Sequence, residues 1–360
     1  MSMESERDEL RSLMAQAIRI ELTTIPPYAT AAYTICEVGQ YDRIAPTEVN
    51  AEPLEVIRQV MIEEMLHMTL AANILNALGG SVILNQPSAI PSYPCRLLPS
   101  GKGPEVRLRR FSRDQVRVFR EIERAPVNFD KLSNGDCLRA ETIGGFYHCV
   151  RERLRALCRT HRPDQVFCGD PAWQVGAEHY WGAGGQAFAV TDEASALRAI
   201  DMIVDEGEGA DLGGRAGDGD PVPGTGEEDV AHFFKFNEIL LSRYYRADDH
   251  LGSPPTGADL AVDWSAVHPM RDDPRAEDFA HLPEVHARML AFDQLYTGFL
   301  LALHEAFNGR PERLREAVPV MIKLRHEAMA LVRIPVNDQG ETAGPGWTFR
   351  PIYSTPERAS

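Results

Sequence analysis

Residues 53–80 read PLEVIRQVMIEEMLHMTLAANILNALGG, and this stretch decides the fold. Its apolar residues recur every three or four positions, which predicts one amphipathic helix over about 53–78. Two glycines end the pattern, as is typical of a helix terminus. The apolar stripe also contains Glu64 and His67, which lie three residues apart and therefore share one helical face.

A carboxylate on a buried helical face needs a partner. Burying an ionised carboxylate without one costs several kcal/mol, a large part of the stability of a whole domain. An arginine, a proton or a metal ion must therefore neutralise Glu64. A single Glu-x-x-His pattern occurs by chance in many helical proteins, so this helix alone leaves the three alternatives open.

Three other predicted helices also place an acid on the apolar face. They are Glu21 in a helix over about 5–38, Glu141 in one over about 136–160, and Glu208 in a fourth over about 192–246. Di-iron carboxylate bundles use one glutamate from each of two helices and a Glu-x-x-His from each of the other two. The spacing therefore predicts a four-helix bundle around a carboxylate- and histidine-ligated metal site.

The second Glu-x-x-His that such a site needs is absent from the sequence. The nearest substitute is Glu208, followed by a loop rich in glycine and aspartate and then by His232. An insertion can interrupt a helix and still return a ligand to the same place. Glu206 is the alternative to Glu208, and His232 is alternatively a capping or surface residue.

The rest of the chain adds helices and irregular segments to this bundle. Two accessory amphipathic helices are predicted within about 283–333, and we expect residues 1–360 to form a single domain. Two segments, about 81–111 and 161–190, are irregular, and the first is rich in proline and glycine and contains short β-like pieces. Their aromatic residues are candidate walls of a substrate pocket: Tyr93, Trp173, Tyr180 and Trp181.

The composition excludes several classes of partner. Hydrophobic residues make up 44% of the chain, which is enough for a sizeable core, and the formal net charge of -16 repels nucleic acid and anionic membranes. No apolar run reaches the length of a membrane span. The polar start MSMESERDELRS is not a signal peptide. Six scattered cysteines without a CxxC pair indicate reduced thiols and a cytoplasmic protein.

Several stretches resemble the ferritin-like domain of iminophenyl-pyruvate dimer synthases, which act in violacein and related indole-pigment biosynthesis. The stretches are AIRIELTTIPPYATAA (17–32), IEEMLHMTLAANILNALGG (62–80), Tyr93-Pro94, TIGGFY (142–147), IVDEGEG (203–209), HFFKFNE (232–238), FNG (307–309) and GPGWTF (344–349). The resemblance implies a ferritin-like fold with Glu21, Glu64, His67 and His232 as metal ligands, together with Glu208 and Glu141. The family usually has an acid where this chain has Gly145, so the third helix contributes either Glu141 or no ligand.

These observations predict a mainly α, ferritin-like protein that works as a non-haem oxidoreductase. The expected cofactor is iron, as two ions, with manganese as the alternative, because carboxylates and imidazoles suit both metals. The expected partners are dioxygen or peroxide and a small amino-acid-derived imine or keto acid, and buried bundle faces are compatible with a homodimer. The alternatives are a site for a single metal ion, and a scaffold or partner subunit whose site is incomplete and which has no catalysis of its own.

Overall fold

The bundle is built on the two helices that the sequence predicts most clearly. In this computed structural model, the described residues are 2–36, 50–125, 136–180, 184–208, 217–221, 228–246, 248–250 and 252–351. The helices in them are α1 (Met3–Thr34), α2 (Ala51–Ala77), α3 (Arg113–Ile122), α4 (Ile143–Thr160), α5 (Pro163–Val166), α6 (Glu193–Glu208), α7 (His232–Leu241), α8 (Pro283–Ala306) and α9 (Leu314–Leu331). Strand β1 (Cys95–Arg96) pairs antiparallel with β2 (Glu105–Val106), and β3 (Gly217–Pro221) with β4 (Glu228–Val230).

Helices α1 and α2 pack along each other and form the continuous half of the bundle. The double proline near the middle of α1 stays inside the helix. Pro27 has no backbone N–H, so the carbonyl of Thr23 lacks its usual helical donor. The hydroxyl of Tyr93 donates to that carbonyl at 2.9 Å and fills the gap.

Each of the other two bundle positions is occupied by two shorter helices that follow each other in the chain, α3 and α4 in one position and α6 and α7 in the other. Helix α4 packs on α1 and α6, and α6 packs on α2. Helix α3 packs on α7, which also contacts α2. The ring of Phe119 on α3 lies edge-on to Tyr28 of α1, with the ring centroids 4.6 Å apart. Two of the four bundle members are therefore broken, and each break leaves two helix ends inside the molecule.

Several predicted helix boundaries change in the structure. Thr142 caps α4, because its side chain accepts from the backbone N–H of Gly145, so this helix begins at Ile143 and not near residue 136. The fourth predicted helix is α6 and α7, and α7 ends at Leu241, where Ser242 turns into the left-handed region at φ 57°. Within the described residues, no helix is long and apolar enough to cross a membrane.

The C-terminal part of the chain extends the same hydrophobic core. Helices α8 and α9 pack on each other, and α9 also contacts α1. Trp347 packs edge-on against Phe292 and Tyr296 of α8. Its indole N–H donates to the hydroxyl of Thr30 on α1 at 2.8 Å. One cluster of buried side chains therefore joins the bundle to the accessory helices.

The prediction that all six cysteines are reduced is wrong for one pair. A disulfide joins Cys137, in the short turn before α4, to Cys149 on α4. Four cysteines are not part of a disulfide: Cys36, Cys95, Cys158 and Cys168. Scattered cysteines without a CxxC pair did not reveal this bond, because the turn that brings the two thiols together is not visible in the spacing.

Gly169 gives a test of the packing at the end of α2. Its N–H donates to the carbonyl of Ala77 at 3.0 Å, and a Cβ at this position would overlap the backbone of Asn76. We expect Gly169→Ala to lower the free energy of unfolding by roughly 1–3 kcal/mol, because the segment must shift to relieve the overlap. Urea unfolding followed by circular dichroism measures this change.

Gly298→Ala is the matched control, since Gly298 lies on α8 and nothing is within 4 Å of the position of an added Cβ. The gain in helix propensity should stabilise this variant by up to about 1 kcal/mol. Equal stabilities of the two variants would contradict the packing described for Gly169.

Candidate metal centre

Five buried side chains from four helical segments meet at the breaks of the bundle. Glu21 lies on α1, and Glu64 and His67 lie on α2. Glu123 is the C-terminal cap of α3, and His232 is the first residue of α7. We call these five residues the carboxylate–histidine cluster. Each is at most 2% exposed, which places their charges in the core.

The cluster contains two overlapping sets of metal-ligand type. Ligand atoms of Glu21, Glu64 and His67 lie within 4.8 Å of one another, and so do those of Glu64, Glu123 and His232. Glu64 belongs to both sets and could bridge two cations. Oxygen and imidazole ligands without sulfur suit iron, manganese or zinc.

The two histidines are oriented in the same way. The Nε2 atom of His67 is 2.8 Å from a carboxylate oxygen of Glu206, and the Nε2 atom of His232 is 2.8 Å from one of Glu63. A carboxylate accepts from Nε2–H, so a neutral ring would present the lone pair of Nδ1 to a metal ion, whereas a metal-free ring can carry a second proton at Nδ1. Metal-binding histidines in proteins are commonly held in this way by an outer carboxylate.

The Nδ1 atoms then face the shared carboxylate. They lie 3.6 Å (His67) and 3.0 Å (His232) from Oε1 of Glu64. The contact between Nδ1 of His232 and Glu64 is short but does not have hydrogen-bond geometry. This buried Nδ1 has no hydrogen-bond partner among the described residues. A metal ion could take the place of a proton between this Nδ1 and the carboxylates that it faces, so the residues present fit a metal.

The negative charges of the cluster must be balanced by protons or by a cation. Burial raises the pKa of Glu21, and the neighbouring charge of Glu64 raises it further. Burial and Glu64 raise the pKa of Glu123 in the same way. Burial also acts to raise the pKa of Glu64, but the nearby His67 and His232 outweigh it and lower this pKa. Without a cation, protons balance part of the negative charge of the cluster, because the pKa values of Glu21, Glu123 and both histidines are raised.

A hydroxyl group donates a hydrogen bond to one oxygen of each of the three carboxylates in the cluster. The hydroxyl of Tyr147 donates to Glu21, and that of Tyr28 donates to Glu123. Both tyrosine side chains are fully buried. Thr24, on α1, donates to Oε2 of Glu64 at 2.8 Å. These bonds fix the carboxylate orientations in the protein itself.

A buried lysine supports the outer carboxylate of His232. The ammonium group of Lys235 lies 2.9 and 3.1 Å from the two oxygens of Glu63 and 3.1 Å from Asp229. The amide of Gln59 donates to Asp229 at 2.7 Å. Burial alone would raise the pKa of Glu63, but Lys235 and His232 lower it to about 2. Glu63 is therefore held as a carboxylate that can accept from His232.

The structure brings together four of the six predicted ligands: Glu21, Glu64, His67 and His232. The prediction for Glu141 is wrong, because this residue precedes the cap of α4, its side chain is 62% exposed, and it pairs with Lys102. The side chain of Glu208 lies outside the described residues. Its predicted alternative, Glu206, is buried and contacts His67.

Sequence reasoning missed five residues of the site: Glu63, Glu123, Lys235, Tyr28 and Tyr147. Glu123 lies at the end of α3, a short helix that is not among the predicted bundle helices. Tyr147 lies in the stretch TIGGFY, where only the position of Gly145 was considered. The breaks in the helices hide these residues, since their spacing in the sequence no longer corresponds to neighbouring turns.

The fold and the cluster define a helical bundle with a buried set of carboxylates and histidines that could hold metal ions. The chain belongs to the Ferritin-like family, whose sequence profile matches residues 14–241. The crystal structure of a ferritin-like protein from Caulobacter vibrioides is similar, with a TM-score of 0.55 and 22% identity over 93% of this chain and 96% of that one. At this identity the similarity shows the fold alone. No curated protein matches the chain in sequence.

The support that Lys235 gives to Glu63 can be measured by a double-mutant cycle. Lys235→Met keeps most of the side-chain volume but leaves the buried Glu63 without its lysine. We expect the free energy of unfolding of the metal-free protein to fall by roughly 3 kcal/mol, since breaking a buried ion pair leaves an uncompensated charge. In the Glu63→Gln background the same change should cost clearly less.

Urea unfolding of the four proteins in the cycle gives the coupling energy. Lys102→Met is the matched control, because Lys102 pairs with Glu141 at the surface and its removal should leave stability nearly unchanged. An equal cost of Lys235→Met in both backgrounds would show that Lys235 does not act through Glu63.

Proposed function

We propose that this protein is a non-haem oxidoreductase that binds two irons at the carboxylate–histidine cluster. The main support is the position of Glu64, which belongs to two sets of ligand atoms, each with its own glutamate and its own histidine. Manganese is the alternative metal, because it accepts the same oxygen and nitrogen ligands. The expected oxidant is dioxygen or peroxide, and the expected substrate is a small amino-acid-derived imine or keto acid.

The side chains around the cluster would prepare it for this chemistry. Bound iron supplies the redox capacity that reduces dioxygen or peroxide and oxidises an organic substrate. Glu206 and Glu63 hold the Nε2 protons of His67 and His232 and so keep the Nδ1 atoms available. The buried surroundings exclude bulk water, which strengthens the electrostatic interactions of the cluster.

The resemblance to iminophenyl-pyruvate dimer synthases supports the finer part of this proposal. It suggests oxidative chemistry on a small amino-acid-derived imine or keto acid in secondary metabolism. The single domain and the homodimer are separate parts of the proposal, and the homodimer rests on the buried faces of the bundle. A cytoplasmic location is proposed on the four free cysteines, whereas the Cys137–Cys149 disulfide is more usual outside the cytoplasm.

One observation favours a second function, that of a scaffold or partner subunit without catalysis. The two ligand sets contain three carboxylates and two histidines, fewer than the four carboxylates of the usual di-iron arrangement. Glu206 could supply the fourth, although its Oε2 atom already contacts Nε2 of His67. A site with weaker or single metal binding would serve a structural role in a complex.

Metal analysis separates these possibilities. For protein produced with added iron, we expect about two metal ions per chain by elemental mass spectrometry. Glu64→Ala should lose both ions because Glu64 belongs to both sets. His67→Ala and His232→Ala should each lose about one, since each removes a ligand from one set only.

Glu141→Ala is the matched control and should bind as much metal as the wild type, because Glu141 lies at the surface. Folded, metal-free wild-type protein would overturn the di-iron proposal and support the scaffold. About one ion per chain would indicate a single-metal site. Consumption of oxygen by the iron-loaded protein, tested with aromatic amino and keto acids, then tests the activity itself.

A further inference from the structure

A largely apolar cavity lies beside the centre, between α2 and the accessory helices α8 and α9. Its volume is about 250 Å³, and its wall includes Met65 and Met68 of α2, Phe299 of α8, and Val318 and Met321 of α9. An apolar cavity of about 150 Å³ takes up benzene in an engineered protein, so this one has room for a one- or two-ring molecule. Methionines adapt readily to the shape of such a guest.

One polar group in the wall lacks a partner. His179 lines the cavity, and its Nδ1 is shielded from solvent without a hydrogen-bond partner among the described residues. The hydroxyl of Thr69, also in the wall, already donates to the carbonyl of Met65 at 2.8 Å. A shielded, unpaired nitrogen costs free energy that a ligand with one hydrogen-bonding group can recover.

Tyr180 connects the cavity to the surroundings of the metal centre. Its ring lines the cavity, and its hydroxyl lies 3.5 Å from the carbonyl of Ile62. Burial raises the pKa of Tyr180, and the negative charges of Glu206 and Glu63 raise it further, so both outer carboxylates are near. The cavity therefore occupies the face of α2 next to the one that carries Glu64 and His67.

From this arrangement we propose that the cavity binds a small neutral aromatic group with one hydrogen-bond donor, held by apolar packing and by Nδ1 of His179. The cavity wall contains no lysine, arginine or carboxylate among the described residues, which disfavours a charged group inside. In the reaction, this cavity would hold the ring of the substrate, and this role rests on the proposed function. The binding of an aromatic group to the cavity does not depend on the proposed function.

Binding is tested with 2-naphthol, which is fluorescent and has one O–H, and with naphthalene, which has none. Both are titrated against metal-free and metal-loaded protein. We expect saturable binding of 2-naphthol and roughly fivefold weaker binding of naphthalene, since the latter cannot bond to His179. His179→Phe should remove most of this preference while retaining the binding of naphthalene.

A filling variant and its matched control locate the site. Val318 and Val320 are both half-buried on α9, but only Val318 lines the cavity. Val318→Phe should weaken 2-naphthol binding by more than about tenfold, and Val320→Phe should leave it unchanged. Ala317→Leu, which fills the cavity from the same helix, replaces Val318→Phe if that variant does not fold.

The outcomes separate this site from the proposed function. No binding to the wild type, or equal binding by Val318→Phe and Val320→Phe, overturns the site. Binding that Val318→Phe removes, in a protein that consumes no oxygen with any substrate, supports the site and overturns only the oxidative role. Oxygen consumption without binding of either probe overturns the site and leaves the oxidoreductase proposal standing.

Discussion

The burial of Glu64 is the constraint on which the rest of the centre depends. A carboxylate that is 1% exposed inside a helical core is stable only when positive charge or donors face it. Here it meets two imidazoles and the hydroxyl of Thr24. Each imidazole in turn needs an acceptor on its far side, which brings two further carboxylates into the core, and one of these needs Lys235. Each buried charge is therefore balanced by a neighbour farther from Glu64, and this series of ion pairs ends at the half-buried Asp229.

The broken helices explain how so many charged groups reach one place. A continuous helix presents ligands only three or four residues apart on one face, as α2 does with Glu64 and His67. The break between α3 and α4 places Glu123 at one helix end and Tyr147 near the start of the next. The break between α6 and α7 places Glu206 near the end of α6 and His232 at the start of α7. In addition, the positive end of the α7 dipole lies next to the carboxylates, where it is favourable.

This architecture determines what the sequence could reveal. Glu21, Glu64 and His67 were predictable because they lie on unbroken helices, where a 3.6-residue period reports the buried face directly. His232 was predictable only by supposing that an interrupted helix returns a ligand. Glu141 was placed wrongly because the period was extended across the Thr142 cap into a turn. Glu123 and Lys235 depend on the pairing of α3 with α7, a contact between distant segments that no local pattern encodes.

The two halves of the centre are built alike, which bears on the missing Glu-x-x-His. On one side Glu21 is held by Tyr147, and His67 by Glu206. On the other side Glu123 is held by Tyr28, and His232 by Glu63. A second Glu-x-x-His is one way to place a glutamate beside a histidine, and a helix end that meets another helix end is a different way to reach the same arrangement. Each half has its own carboxylate, histidine, tyrosine and outer glutamate around the shared Glu64, so the described residues offer a similar set of ligand atoms on both sides of this carboxylate.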